Sequence, residues 1–144
     1  MAVSSHLYGL ALKSFATAAV NYTGGTVKAM LCTSSYVPDQ DAHQFKSDVT
    51  GEVTGTGYTA GGAALTTKTL TYDAPSNTLT LDADDVTWAA ATITARYLVF
   101  YVDTGTASTS PLISYVDFGA DVTSAGAAFT YQLPTTGLAQ ITAA

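Results

Sequence analysis

One cysteine, one glutamate and five basic residues are all that this chain of 144 residues has of those types. The solitary Cys32 excludes an intrachain disulfide and any cysteine-cluster metal site. Lys13, Lys28, Lys46, Lys68 and Arg96 are scattered, and against eleven acids they leave a net charge of −6. A general grip on nucleic-acid phosphates or on anionic membranes is therefore not expected. No apolar run approaches the roughly 18 residues of a membrane span, and the first residues have neither the basic n-region nor the apolar h-region of a signal peptide. The length fits a single domain, 1–144, able to bury roughly 70% of its unfolded surface.

What the chain does have is threonine, alanine, glycine and aspartate. Helix surfaces favour Glu, Lys and Gln, whereas Asp and Gly favour turns and Thr, Tyr and Val favour strands. An all-helical fold is excluded on that ground. Charged residues make up only 11% of the chain, so its surface must be built largely from hydroxyl and small side chains. Such a surface suits a protein partly covered by neighbours.

The first segment is ambiguous. Leu7, Leu10, Ala11, Ser14, Phe15 and Ala18 recur at helical spacing, with Ser4 or Ser5 available as N-cap and Asn21 and Gly24–Gly25 to stop the helix, which predicts a helix near 6–19. Tyr8, Leu10 and Leu12 also alternate, so a strand competes. Thr26 to Thr33 reads as a strand. Beyond Pro38, Ala42, Phe45 and Val49 share one helical face, with Asp39 as N-cap and Asp41 complementing the dipole; this predicts a short helix near 40–47. Val53 to Gly62 (V-T-G-T-G-Y-T-A-G-G) has four glycines in ten residues, too many for a packed strand or a helix interior, and is expected to be a loop ordered by its contacts or by a partner.

The remainder reads as β. Leu70 and Tyr72 alternate with threonines, as do Leu79 and Leu81, and Asp73-Ala74-Pro75-Ser76-Asn77 between them is turn chemistry, so a hairpin is predicted. Further strands are expected at Val86–Ala90, Thr92–Val102, Leu112–Phe118, Phe129–Leu133 and Leu138–Thr142. The second half of Thr92–Val102 is apolar on both faces, as in a strand buried on two sides. Seven or eight short strands at this spacing predict a single antiparallel β-sandwich, of jelly-roll or Ig-like type, with one or two short N-terminal helices. Leu70, Tyr72, Leu79, Leu81, Trp88, Val99, Tyr101, Val116, Phe129 and Tyr131 are the expected core.

Candidate chemistry is sparse. Gly55-Thr-Gly57-Tyr-Thr-Ala60 matches the letters of a dinucleotide fingerprint, but a hairpin follows where a helix is needed, so no cofactor is expected. Asp82, Asp84 and Asp85 offer oxygen ligands of the kind Ca²⁺ takes, yet on adjacent strand-end positions their carboxylates should alternate between faces, and the cluster reads as a polar turn with no metal. His43, flanked by Asp41 and Asp48, has no nucleophile elbow or second histidine to work with and reads as a capping or surface residue. Cys32 lies mid-strand and reads as a small core residue. Tyr97, Phe100 and Tyr101 lack the surrounding Lys and Arg that a base-stacking platform needs. Trp88 reads as a core anchor or contact hot spot. No catalytic constellation emerges, and an enzyme is not expected.

Several phrases, in order, resemble a family of small virion structural proteins of tailed bacteriophages. They are T-S-S-Y-V-P-D-Q-D-A-H-Q-F (Thr33 to Phe45), the Val53–Gly62 loop, L-D-A-D-D-V-T-W (Leu81 to Trp88), T-I-T-A-R-Y (Thr92 to Tyr97), Y-V-D-T-G-T (Tyr101 to Thr106) and P-L-I-S-Y-V-D-F-G (Pro111 to Gly119). The resemblance spans Leu7 to Phe129. It implies a non-enzymatic head decoration or cement protein in the virion, assembled in the host bacterial cytoplasm, with the major capsid protein or neck and tail proteins as partners and a homo-oligomer as its state. A neck or tail fibre component carrying a receptor- or carbohydrate-binding module is the other reading, and it would require exposed aromatics such as Tyr8, Tyr36, Tyr58 or Trp88. The contact surface is expected around the glycine-rich loop and the residues ahead of it: Phe45, Gly55, Gly57, Tyr58 and Gly61.

Overall fold

The computed structural model describes residues 2–144. Among them are one α-helix, α1 (Gly9–Ala16), and eight strands: β1 (Ser4–Leu7), β2 (Val27–Cys32), β3 (Ala63–Ala64), β4 (Thr69–Asp73), β5 (Thr78–Asp82), β6 (Val86–Val102), β7 (Leu112–Tyr131) and β8 (Ala139–Thr142). They form two antiparallel sheets, one ordered β1-β7-β6-β2-β3 and the other β4-β5-β8. The sequence expectation of a mainly β, two-sheet antiparallel fold holds.

The sheets meet over one apolar cluster. Leu81, Ala139 and the adjacent Leu138 face it from the small sheet; Ala29, Leu31, Leu98, Phe100, Ile113 and Val116 face it from the large one. On the opposite face of the large sheet, Met30, Cys32, Val99, Tyr101 and Leu112 form a second cluster, covered by Tyr8, Ala11 and Tyr36. The second half of β6 is thus buried on both faces, which accounts for its unbroken apolar run.

Four expectations are corrected. The helix is only eight residues long, because Ser4 and Ser5 pair with Asp117 and Val116 in β1 instead of capping it. Tyr8 takes the N-cap place with no side-chain bond. The predicted helix near 40–47 is absent. Asp39 does accept the N–H groups of Asp41 and Ala42 at 3.0 and 2.9 Å, but Asp48 Oδ2 then accepts those of Gln44 and Phe45, both at 2.9 Å, displacing the helical carbonyl acceptors. Only a 3-10 turn, Lys46–Asp48, follows.

The pairs of short strands expected around Ala91 and between Phe118 and Phe129 are fused into β6 and β7, of 17 and 20 residues. Bulges take up the misfit: Ala95 pairs with Val122, while Tyr97 pairs with Asp117. Asp117 stabilises that corner, receiving Arg96 Nε–H at 2.8 Å and the Gly119 N–H at 2.7 Å. Finally, Leu70 and Tyr72 are not core residues: they are 45% and 60% exposed. Leu79 and Tyr131 are half-buried. The other six expected core residues are buried.

Candidate functional site

The glycine-rich loop is built against the chain's own strands. Gly55 and Gly57 lie where a Cβ would strike the backbone of Thr92 at 2.3 Å and of Ala90 and Ala91 at 2.8 Å. Glycine is therefore used here for close approach to β6. The Thr92 N–H donates to Thr56 O at 2.8 Å and completes the seam. Tyr58, half-buried, sets its ring 6.1 Å from that of Trp88. Its hydroxyl donates to Glu52 Oε1 at 2.9 Å and accepts the Leu31 N–H at 3.1 Å. The same Glu52 oxygen accepts the Gly61 N–H, and Tyr101 Oη donates to Gly61 O at 2.7 Å.

Of the two ways in which this loop was expected to be ordered, the structure shows the first: contacts within the chain engage Gly55, Gly57, Tyr58 and Gly61. Burial, followed by the Glu52 charge, pushes the Tyr58 phenol well above its ordinary range. Phe45, also half-buried, bridges to Pro111 and stands apart from the loop's hydrogen bonds. Glu52 was missed as a site residue; being the sole glutamate among eleven acids was the available signal.

Beside the loop a cleft of about 400 Å³ opens between Glu52–Thr54, Thr92–Thr94 of β6 and Thr123–Ala125 of β7. Its walls are hydroxyls and short apolar side chains, and its one carboxylate already accepts two hydrogen bonds. No second acid, histidine or cysteine lines it among the described residues.

The acid cluster and the histidine singled out in the sequence are engaged locally. Asp82 accepts the Ala83 N–H, Asp84 accepts the hydroxyls of Thr66 and Thr67, and Asp85 accepts the Leu133 N–H, so the three carboxylates serve separate segments. His43 Nδ1 lies 3.0 Å from Tyr36 Oη, which lies 2.7 Å from Tyr8 Oη. Burial raises the phenol of Tyr8 far above its usual range and that of Tyr36 to about 12, so both stay protonated at neutral pH as hydrogen-bonding and packing groups. Tyr8, Tyr36 and Trp88 are buried, so they offer no exposed aromatic platform.

Two surfaces were not foreseen. Among the described residues no strand pairs with the outer edge of β7 beyond Asp117, and a shallow groove of about 330 Å³ runs along residues 122–130. On the small sheet, Leu70 and Tyr72 stand uncovered. No family model, curated protein or solved structure matches the chain.

Proposed function

We propose that the chain is a non-enzymatic structural protein of a tailed-phage virion, a head decoration or cement protein seated on the major capsid protein. The resemblance of its phrases to small virion proteins motivates the reading. Two of those phrases, Val53–Gly62 and Thr92–Tyr97, are in direct contact through the Thr92–Thr56 hydrogen bond.

The observation that supports it best is the outer segment of β7. Residues 119–128 are Gly, Ala, Asp, Val, Thr and Ser, with Asp121 as their one charge. Their edge makes no backbone hydrogen bond beyond β6 among the described residues. Register shifts that leave out Gly126 and 118–121 break it as a strand-pairing template. What is left is a shallow, nearly uncharged groove with Val122 exposed in it. Such a surface accepts the side chains of a close neighbour at little desolvation cost.

Purified particles test this. Quantitative mass spectrometry is expected to find the protein in numbers comparable with the major capsid protein. A Val122→Lys variant is expected to be lost from particles while its urea midpoint in isolation is unchanged. Absence from particles would overturn the reading, and copies sufficient only for one ring would move it to the neck or tail.

A further inference from the structure

The small sheet ends in a strand whose own partner is missing. On one side β4 pairs with β5 in unbroken register, from Thr69↔Asp82 to Asp73↔Thr78. On the other side it makes no backbone hydrogen bond among the described residues. All five of its residues are exposed, and none is proline or glycine. Among the other edges, β3 has two residues, β7 is bulged and the Leu7 carbonyl of β1 is taken by Gln40 Nε2 at 2.7 Å; β8, the far edge of the small sheet, has four residues, of which Ala139 is buried and Ile141 half-buried.

The side chains on this edge are also uncovered on the wrong face. Cross-strand partners share a face, so Leu70 lies beside Leu81 and Tyr72 beside Leu79, on the side of the sheet that builds the core. Leu81 is fully buried, yet Leu70 is 45% and Tyr72 60% exposed. The small sheet overhangs, and its apolar rows stop at β4 in solvent.

We infer that β4 pairs antiparallel with β4 of a second copy of this chain, about a two-fold axis at Thr71. The strand Thr69-Leu70-Thr71-Tyr72-Asp73 is complementary to itself in that register. Leu70 meets the partner's Tyr72, Thr71 meets the partner's Thr71, and Thr69 meets the partner's Asp73. Each row then continues without a break, Ile141–Leu79–Tyr72 running into the partner's Leu70 and the partner's Leu81.

Charge selects the same geometry. Lys68, whose ammonium donates to Gly25 O, precedes the strand, and Asp73, which accepts the Ser76 N–H at 3.1 Å, ends it, so their charges act across the seam through space. Antiparallel pairing brings Lys68 within one residue step of the partner's Asp73 at both ends, whereas parallel pairing would set lysine on lysine and aspartate on aspartate. The overall −6 on each copy opposes approach and is screened by salt, so the dimer is expected to tighten as ionic strength rises. This dimer belongs to the free chain and goes beyond the capsid reading, which β7 supports, so either can fail alone.

Sedimentation of the full chain, with thiol cross-linking, tests it. The natural chain is expected to run as a dimer at micromolar concentration, and L70E/Y72E, which sets like charges opposite each other, as a monomer with an unchanged far-UV circular dichroism spectrum. L70K/Y72E, which sets opposite charges there, is expected to restore the dimer. T71C is expected to form an intermolecular disulfide under mild oxidation, since it would face itself across the axis, and T69C not to. A natural chain that stays monomeric, a dimer indifferent to L70E/Y72E, or T69C cross-linking as well as T71C would each overturn the inference.

Discussion

Tyr58 and Glu52 are joined by a 2.9 Å hydrogen bond that closes the glycine-rich loop onto β2. The phenol is both donor and acceptor there, because the Leu31 N–H also ends on it. Tyr58→Phe leaves that N–H and one carboxylate lone pair without their partner, at a cost of about 1–3 kcal/mol. Tyr58→Ala also empties the space against Trp88 and is expected to cost more, about 3–5 kcal/mol. Urea unfolding of both variants checks the order. Equal stability of Tyr58→Phe and the natural chain would show that the bond does not hold the loop.

Cys32 is expected to be inert. It is fully buried in the cluster beneath Tyr8 and Tyr36, and burial pushes its thiol up to about 12. A colourless disulfide reagent at pH 8 should therefore modify it only at the rate of unfolding, and completely in denaturant. Burst labelling of the native protein would contradict this environment. The phenols of Tyr8, Tyr22, Tyr58 and Tyr101, all raised first by burial, add an alkaline limit. Unfolded tyrosines lose their protons near pH 10 while these keep theirs, so stability is expected to fall as pH rises past about 10.

The hairpin was legible because its signals are local: Leu70, Tyr72, Leu79 and Leu81 alternate, and Asp73–Asn77 makes a turn. The long strands were not. Residues 119–128 have no apolar alternation, and their strand conformation is imposed by pairing with β6. The false helix near 40–47 had real helical spacing, but Asp48 diverted the N–H groups. In the Val53–Gly62 loop the glycines were counted as conformational freedom, whereas Gly55 and Gly57 mark places where backbones touch. Leu70 and Tyr72 were assigned to the core by their face; only the relative extent of the two sheets, a property of the whole chain, leaves them in solvent.

Acid sensitivity should centre on Asp117. Its hydrogen bond from Arg96 holds its carboxyl below the usual range, as Lys28 does for Asp103 and the Phe45 N–H does for Asp48. For a group depressed in the folded state, the stabilisation is complete above the unfolded pKa of about 4 and is lost as pH falls through the folded value. The melting temperature is therefore expected to hold from pH 7 to about 5 and to drop below pH 4. Asp117→Asn should lower it at pH 7 and flatten the acid drop, so that the two curves converge at low pH. Parallel curves would exclude Asp117 as a contributor.

Two glycines with nearly equal φ separate strain from close approach. Gly62 has φ +82° and Gly126 φ +73°, so an added Cβ carries a similar left-handed penalty at each, about 1–2 kcal/mol. Around Gly126 nothing among the described residues lies within 4 Å of such a Cβ. At Gly62 it would sit 1.9 Å from the Ala29 carbonyl oxygen and 2.8 Å from Met30 Cα, both backbone atoms of β2, a strand paired on both sides and buried in both clusters. That strand has no free rotamer with which to yield. Gly126→Ala is therefore expected to fold with only the angular cost, and Gly62→Ala to lose more than about 4 kcal/mol or to remain unfolded. Urea midpoints decide it, with far-UV circular dichroism as the measure if Gly62→Ala does not fold. If both variants lose the same stability, the seam between β2 and the glycine-rich loop is looser than these distances require.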